Sequence, residues 1–196
     1  MTPEAVLQEI IEGQKVMTLA MCQGDEPYLA TLSYAYDADA NCFYFHCAPE
    51  GKKLDYLRAN PNVWGQVVEN RGYVTGKCDH AYRSVHFAGQ VDFLEDEEEK
   101  RAALTLMIRQ MEPDPGPLEQ RLLARARLGK TVVGRVRVQV RGAALGMRAG
   151  DVRDGRVRCD QQIQIAQHGG CVHERARRFV QVSAQRHDLQ RPGQGV

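Results

Sequence analysis

The sequence lacks a long apolar run, a marked excess of one charge and a dense set of cysteines. No apolar stretch approaches the roughly 18 residues of a membrane-spanning helix, and the first residues lack the basic and apolar regions of a signal peptide. We therefore expect a cytoplasmic protein with no membrane partner. The net charge of +1 argues against general nucleic-acid binding, which usually needs a clear basic excess.

The six cysteines are too few for a disulfide framework in a chain of 196 residues, and none of them forms a Cys-x-x-Cys pair. Reduced thiols are the default for a cytoplasmic protein. Disulfides are therefore not expected to stabilise the fold, and the 43% hydrophobic content must supply its core.

Charge is unevenly distributed along the chain. Residues 1–130 hold 14 Lys and Arg against 20 Asp and Glu, whereas residues 131–196 hold 12 against 5, and all twelve of those cations are Arg. We predict one domain over residues 1–141 and an Arg/Gln/Gly-rich tail over residues 142–196. The tail shows only a brief alternation at Ile163 and Ile165, and three explanations stay open: disorder, ordering against a partner subunit, or an altered reading frame.

Alternating and apolar patterns predict a mainly β protein with peripheral helices. Short turn-rich gaps between the predicted strands favour antiparallel hairpins, so we expect a six-stranded antiparallel barrel. The six predicted strands are Lys15–Met21, Tyr28–Tyr36, Cys42–His46, Val63–Glu69, Ser84–Leu94 and Thr131–Arg141. The predicted helices cover residues 3–12, a short segment after Gly51 that stops at Asn60-Pro61, a segment with an acidic start at Glu95–Glu99, and Leu118–Leu128.

The segment Gly51-Lys52-Lys53 places two cations where a helix begins, although that end of a helix prefers negative charge. Neither Glu50 nor Gly51 is a strong N-cap, so the first backbone amides remain available to an anion such as phosphate. Arg83-Ser84 offers a second set of phosphate donors, at the start of a predicted strand. The alternative is that these cations are solvated surface charges.

Two stretches, FYFHCAPEGKKLDYLRANPNVWGQV and YRSVHFAGQVDFLEDEEEKRAALTLM, together resemble the pyridoxamine 5'-phosphate oxidase-like flavoproteins, in particular the nitroimidazole-resistance type. The resemblance covers about residues 4–140. It implies a split β-barrel that forms a homodimer and binds FMN at the subunit interface. The sequence departs from the family pattern at Gly142-Ala143-Ala144, where Gly-Lys is expected.

Carried over by position, the resemblance assigns roles to eight residues. The strand face around Thr31, Leu32 and Ser33 would lie along the isoalloxazine ring. His46 would sit near the ribityl chain or the ring edge, where it is the candidate catalytic residue. The FMN phosphate would be held by Lys52, Lys53, Arg83 and Ser84.

The resemblance implies an FMN-dependent oxidoreductase that passes electrons from a reduced nicotinamide to a small acceptor, for example a nitro-aromatic compound. Two alternatives stay open. One is a flavin-binding module without catalysis. The other is a metal- or haem-binding protein, although the spacing of its candidate ligands matches no recognised zinc site. Those candidates are Cys42, His46, Cys47, Cys78, His80 and His86.

Overall fold

The fold is built on one curled antiparallel sheet with helices packed around it. The computed structural model describes residues 3–76, 78–123, 128, 130–145 and 161–165. The helices in this part are α1 (Pro3–Gly13), α2 (Lys52–Ala59), α3 (Glu97–Met111) and α4 (Gly116–Leu122). None of these described helices has both the length and the apolar character needed to cross a membrane. The strands are β1 (Val16–Gln23), β2 (Glu26–Ser33), β3 (Ala35–Asp37), β4 (Cys42–Cys47), β5 (Asn62–Val74), β6 (Asp79–Phe93), β7 (Val132–Leu145) and β8 (Gln161–Ile165).

The strand order explains why the sheet closes. The strands follow the order β2-β1-β5-β6-β7-β4-β3, and β8 also pairs with β7. Strands β2 and β3 therefore occupy the two ends of the sheet, yet only Tyr34 separates them in the chain. A sheet whose ends are joined by one residue must curl on itself. The expected mainly β split barrel is confirmed, and the two ends of its sheet meet at this corner.

The predicted number of strands was wrong. The run Tyr28–Tyr36 was predicted as one strand, but the structure pairs β2 with β1 and β3 with β4. At the corner between them, the buried Tyr34 hydroxyl donates a hydrogen bond of 2.6 Å to the carbonyl oxygen of Ile11 in α1. With β8 added, the described residues form an eight-stranded sheet.

Several element boundaries also differ from the prediction. Strand β6 begins at Asp79, so Arg83 lies inside the strand and not at its start. Strand β7 continues to Leu145, where its last five residues pair with β8. Helix α4 ends at Leu122, and residues 124–127 of the longer helix predicted there lie outside the described residues. The predictions for residues 146–160 and 166–196 of the tail also lie outside them.

Aromatic side chains fill the centre of the barrel. Phe43, Phe45 and Phe87 are completely buried, and the rings of Phe43 and Phe87 stack with their centroids 4.4 Å apart. Gly65 of β5 makes room for this packing, because a Cβ atom at that position would lie 2.0 Å from Cζ of Phe87. The core therefore fixes the residue type on the adjacent strand.

Helix α3 begins and ends with side chains that satisfy backbone groups. The Asp96 carboxylate accepts hydrogen bonds of 2.9 Å from the amides of Glu98 and Glu99, so the predicted acidic helix start is confirmed. Near the other end, the Gln110 side chain accepts from Tyr36 N at 2.9 Å and donates to Tyr36 O at 2.8 Å. Gln110 thereby covers the outer edge of β3, as a neighbouring strand would.

Candidate functional site

The start of α2 has free hydrogen-bond donors. Strand β4 ends at Cys47, and a short loop leads to Gly51, the N-cap residue, which has φ 134° and ψ 159°. Only glycine adopts this conformation without strain. Gly51 provides no side-chain cap, and within the described residues the amides of Lys52 and Lys53 have no acceptor. The prediction of an uncapped helix start at Gly51 is confirmed.

Lys52 points towards the beginning of β2. Its ammonium nitrogen lies 2.9 Å from Oε1 of Glu26 and 5.3 Å from the ring centroids of Tyr28 and Tyr56. The hydrogen bond from Lys52 lowers the pKa of Glu26, and the carboxylate in turn raises the pKa of Lys52. Because both side chains are more than half exposed, this ion pair adds little to the stability of the fold.

Lys53 lies near the end of β4. Burial of one side of His46 lowers the pKa of its imidazole, and the Lys53 charge lowers it further. Burial raises the pKa of the Cys47 thiol, whereas the charges of Lys53 and Arg58 oppose that rise. These effects hold the pKa of His46 below its ordinary value and so favour the neutral imidazole, while Lys53 supplies positive charge at the start of α2.

One face of β2 is exposed and carries small polar side chains. Thr31 and Ser33 both point outward, whereas Leu32 is 8% exposed and belongs to the hydrophobic core. Leu32 was predicted to contact the cofactor, but alternation along the strand turns its side chain away from this face. The Leu32 side chain therefore does not lie on the exposed face that carries Thr31 and Ser33.

Arg83 and Ser84 are engaged within the chain. The Arg83 guanidinium is 11% exposed, pairs with Glu69 and contacts Oε1 of Glu9 at 2.8 Å. The hydrogen bonds that Arg83 donates to the carboxylates of Glu69 and Glu9 raise its pKa. The buried Ser84 hydroxyl lies 3.2 Å from Nε2 of His86. Arg83 thus joins α1 to the β5–β6 hairpin.

The structure does not bring Lys52 and Arg83 together within one chain. Arg83 pairs across the sheet with Glu69 of β5, which lies level with the start of β1. Glu26, the ion-pair partner of Lys52, pairs with Gln23 at the end of β1. Counted along β1, the two places lie roughly eight residues apart, about 26 Å at about 3.3 Å per residue. A single phosphate cannot contact both of these residues of the same chain.

The candidate metal ligands are also dispersed. Within the described residues, no three His, Cys, Asp or Glu side chains come close enough to hold a metal ion. Cys42 is buried in the barrel, and that burial raises the pKa of its thiol. Cys78 and His80 lie at the distal end of the β5–β6 hairpin, where His80 Nε2 is 3.0 Å from Oδ1 of Asn70. The described residues therefore do not bring together the candidate ligands of the alternative metal-binding interpretation.

The structure adds site residues that sequence reasoning missed. Glu26, Tyr28 and Tyr56 surround the Lys52 ammonium. Tyr56 follows Lys52 by four positions on α2, and this spacing places both side chains on one helix face. The contact between Tyr56 and Lys52 could therefore have been predicted from the sequence. The contacts of Glu26 and Tyr28 depend on the approach of β2 to α2, which no local pattern indicates.

The outer face of the sheet exposes several large apolar side chains. Val16, Leu29, Trp64 and Val68 are 51%, 64%, 57% and 40% exposed. The strand register places Leu29, Ala20, Trp64 and Ala88 in one row across β2, β1, β5 and β6. A groove of about 340 Å³ runs beside Trp64 over the small residues of this row. We call the four exposed side chains the open face.

These features define an antiparallel split-barrel protein in which α2 begins with two backbone amides that have no acceptor among the described residues. The family model for pyridoxamine 5'-phosphate oxidase matches residues 3–143, and the chain belongs to that family.

Comparison with individual proteins gives more distant similarities. An uncharacterised protein of Rhizobium meliloti is 34% identical over 62 residues, which are 32% of this chain and 39% of that protein. The chain spans 39% and 64% of the lengths of the curated relatives that it matches first.

Two solved structures share the fold. A candidate 5-nitroimidazole antibiotic resistance protein of Bacteroides thetaiotaomicron superposes with a TM-score of 0.59 at 23% identity, covering 73% of this chain and 84% of that one. The FAD and haem binding protein of Mycobacterium smegmatis superposes with a TM-score of 0.63 at 14% identity, covering 98% and 93%. The fold is therefore one that flavin-binding proteins also adopt.

Proposed function

We propose that this chain is an FMN-dependent oxidoreductase in which the start of α2 binds the FMN phosphate. The observation that carries the proposal is the uncapped helix start, where the amides of Lys52 and Lys53 have no acceptor within the described residues. Helix starts of this kind bind phosphate through backbone donors, and the helix dipole adds to the attraction. The positive charges of Lys52 and Lys53 are unfavourable at a helix start, and a bound phosphate would compensate them.

The remainder of the cofactor has a matching surface. From the start of α2, the exposed face of β2 offers Thr31 and Ser33 as small polar neighbours for a flat ring. The lowered pKa favours the neutral form of His46, which stands where β4 meets the loop before α2, so it can accept or donate one hydrogen bond to the cofactor. When bound, the flavin supplies two-electron chemistry, with a hydride taken from a reduced nicotinamide and two electrons delivered to a small acceptor such as a nitro-aromatic compound.

We also propose that the functional unit is a homodimer. The open face presents four large apolar side chains, which a second copy would cover. Since Lys52 and Arg83 of one chain lie far apart, any cofactor that touches both must do so through two copies. In this arrangement Arg83, the partly exposed member of the Arg83-Ser84 pair, would approach the cofactor held at the Lys52 of the other copy, whereas the buried Ser84 hydroxyl would not reach it.

The absorbance spectrum of the purified full-length protein tests the cofactor. We expect a yellow protein with flavin absorbance, and heat should release FMN from it. The double variant Lys52→Ala/Lys53→Ala should lose affinity for FMN while it keeps its affinity for riboflavin, which lacks the phosphate. Colourless protein that takes up no FMN from an excess would overturn the proposal, and equal losses for both flavins would remove the phosphate assignment.

Sedimentation equilibrium tests the dimer. Trp64→Glu places a charge in the open face and should produce monomers with weakened FMN binding. Tyr73→Glu is the matched control, because Tyr73 is 59% exposed on the distal part of the β5–β6 hairpin. A wild-type protein that sediments as a monomer and still binds FMN tightly would contradict the two-copy site.

Turnover separates an enzyme from a binding module. Oxidation of reduced nicotinamides by the FMN-loaded protein, with a nitro-aromatic acceptor present, should exceed the rate with free FMN. If the loaded protein binds FMN but gives no turnover with either nicotinamide, the chain is a flavin-binding module.

A further inference from the structure

Glu26 stands beside the proposed phosphate site with a negative charge. Its carboxylate contacts the Lys52 ammonium at 2.9 Å, and that ammonium also lies 5.3 Å from the rings of Tyr28 and Tyr56. Cations are attracted to aromatic faces at this distance. Residues of β2 and α2 thus hold Lys52 in a position that already satisfies its charge.

The same cluster contains a buried tyrosine hydroxyl whose contacts with Glu26 and Lys52 are not fully formed. Tyr56 is 3% exposed, and its hydroxyl makes no hydrogen bond of good geometry among the described residues, although it lies close enough to Glu26 and Lys52 for both to act on its pKa. Burial raises the pKa of Tyr56, and the nearby Glu26 carboxylate raises it further. A buried hydroxyl that lacks a partner favours a ligand or a rearranged neighbour that supplies one. The Lys52 cluster is therefore arranged for exchange of partners.

We infer that Glu26 is a specificity-determining residue that competes with a phosphomonoester dianion for the Lys52 ammonium. The inference rests on the proposed function, since it takes the start of α2 to be the phosphate site. Without ligand, Glu26 compensates the charge of Lys52. A phosphate dianion bound at the amides of Lys52 and Lys53 carries two negative charges, whereas the Glu26 carboxylate carries one. The Lys52 ammonium then leaves Glu26 and binds the phosphate.

The consequence is that removal of the Glu26 charge strengthens binding of phosphorylated ligands. The Glu26→Gln side chain keeps its size but holds the Lys52 ammonium less strongly, so Lys52 is freer to bind the dianion. We expect the Kd for FMN to fall about three- to tenfold, in line with a partly screened pair of exposed charges. The Kd for riboflavin should stay within about twofold, because riboflavin carries no phosphate charge.

The experiment is a flavin-fluorescence titration of flavin-free, full-length protein with FMN and with riboflavin. It compares wild type, Glu26→Gln, Lys52→Gln and the double variant, with Glu50→Gln as the matched control. Glu50 is an exposed carboxylate next to Gly51 and has no contact with Lys52 among the described residues. Competition predicts that Glu26→Gln tightens FMN binding only when Lys52 is present, and more than Glu50→Gln does.

Each other outcome overturns the inference. Weaker FMN binding in Glu26→Gln would mean that Glu26 positions Lys52 for the ligand. An equal gain in the Lys52→Gln background, or in Glu50→Gln, would indicate a general effect of charge. If wild type binds FMN and Glu26→Gln leaves its Kd unchanged, competition fails while the proposed function stands. If wild type binds neither flavin, the proposed function fails, and the inference fails with it.

Discussion

The two lysines at the start of α2 should contribute unequally to phosphate binding. Lys52 must leave Glu26 and two aromatic rings before it can turn to a ligand. Lys53 has no ion-pair partner among the described residues, and its charge already acts on His46 and Cys47. Its ammonium is thus available to an anion at no cost in lost partners.

The structure sets the expected size of the difference. Lys53→Gln removes a charge-assisted hydrogen bond, worth about 1.5–3 kcal/mol. At about 1.4 kcal/mol per factor of ten, the Kd for FMN should rise roughly 10- to 150-fold. Lys52→Gln should raise it only about three- to tenfold, because the lost contact is offset by the ion pair that no longer has to be broken.

Fluorescence titration with FMN and riboflavin measures both effects on the same protein samples. The Kd for riboflavin should change by less than about twofold in either variant, because only the phosphate contact is removed. A larger loss of FMN affinity for Lys52→Gln than for Lys53→Gln would refute the reasoning. So would a parallel loss of riboflavin affinity.

Three further predictions concern the scaffold. Gly65→Ala should lower the unfolding free energy by about 1–3 kcal/mol through overpacking against Phe87, and thermal denaturation should show partial recovery when Phe87→Leu is added. Gln110→Ala removes two hydrogen bonds to Tyr36 and should lower the unfolding free energy by about 1–3 kcal/mol. Urea denaturation should show the lower stability, and light scattering should show more aggregation. Equal stability would contradict the edge-covering role of Gln110. Burial lowers the pKa of His86 in the folded protein. As the pH falls below about 6.5, His86 therefore takes up a proton more readily in the unfolded chain than in the folded one. The unfolding free energy should decline over that range. His86→Gln should flatten that decline in urea titrations, and an unchanged slope would show that His86 does not contribute.

The start of α2 could be predicted from the sequence because its determinants are local. Gly51 and the lack of a capping side chain identify an open helix start within a few residues. The acidic start of α3 is equally local, since Asp96 caps amides only two and three residues away. Such features need no knowledge of what packs nearby.

The contacts across the sheet could not be predicted in this way. The alternation of Tyr28–Tyr36 continues through Tyr34, although the strand changes its neighbour there, because the pattern reports which face is buried and not which strand is paired. The partners of Arg83 come from α1 and β5. Whether a cation is free for a ligand thus depends on residues distant in sequence.

The two ends of the sheet differ in a way that affects how the protein should be produced. Gln110 satisfies the outward peptide group of Tyr36 at the β3 end, whereas β2 pairs only with β1 among the described residues. The backbone groups along the unpaired edge of a strand can form hydrogen bonds with other chains during synthesis and so promote aggregation. A compound that lies along β2 would shield it, so we expect riboflavin supplied to the expression culture to raise the yield of recoverable protein.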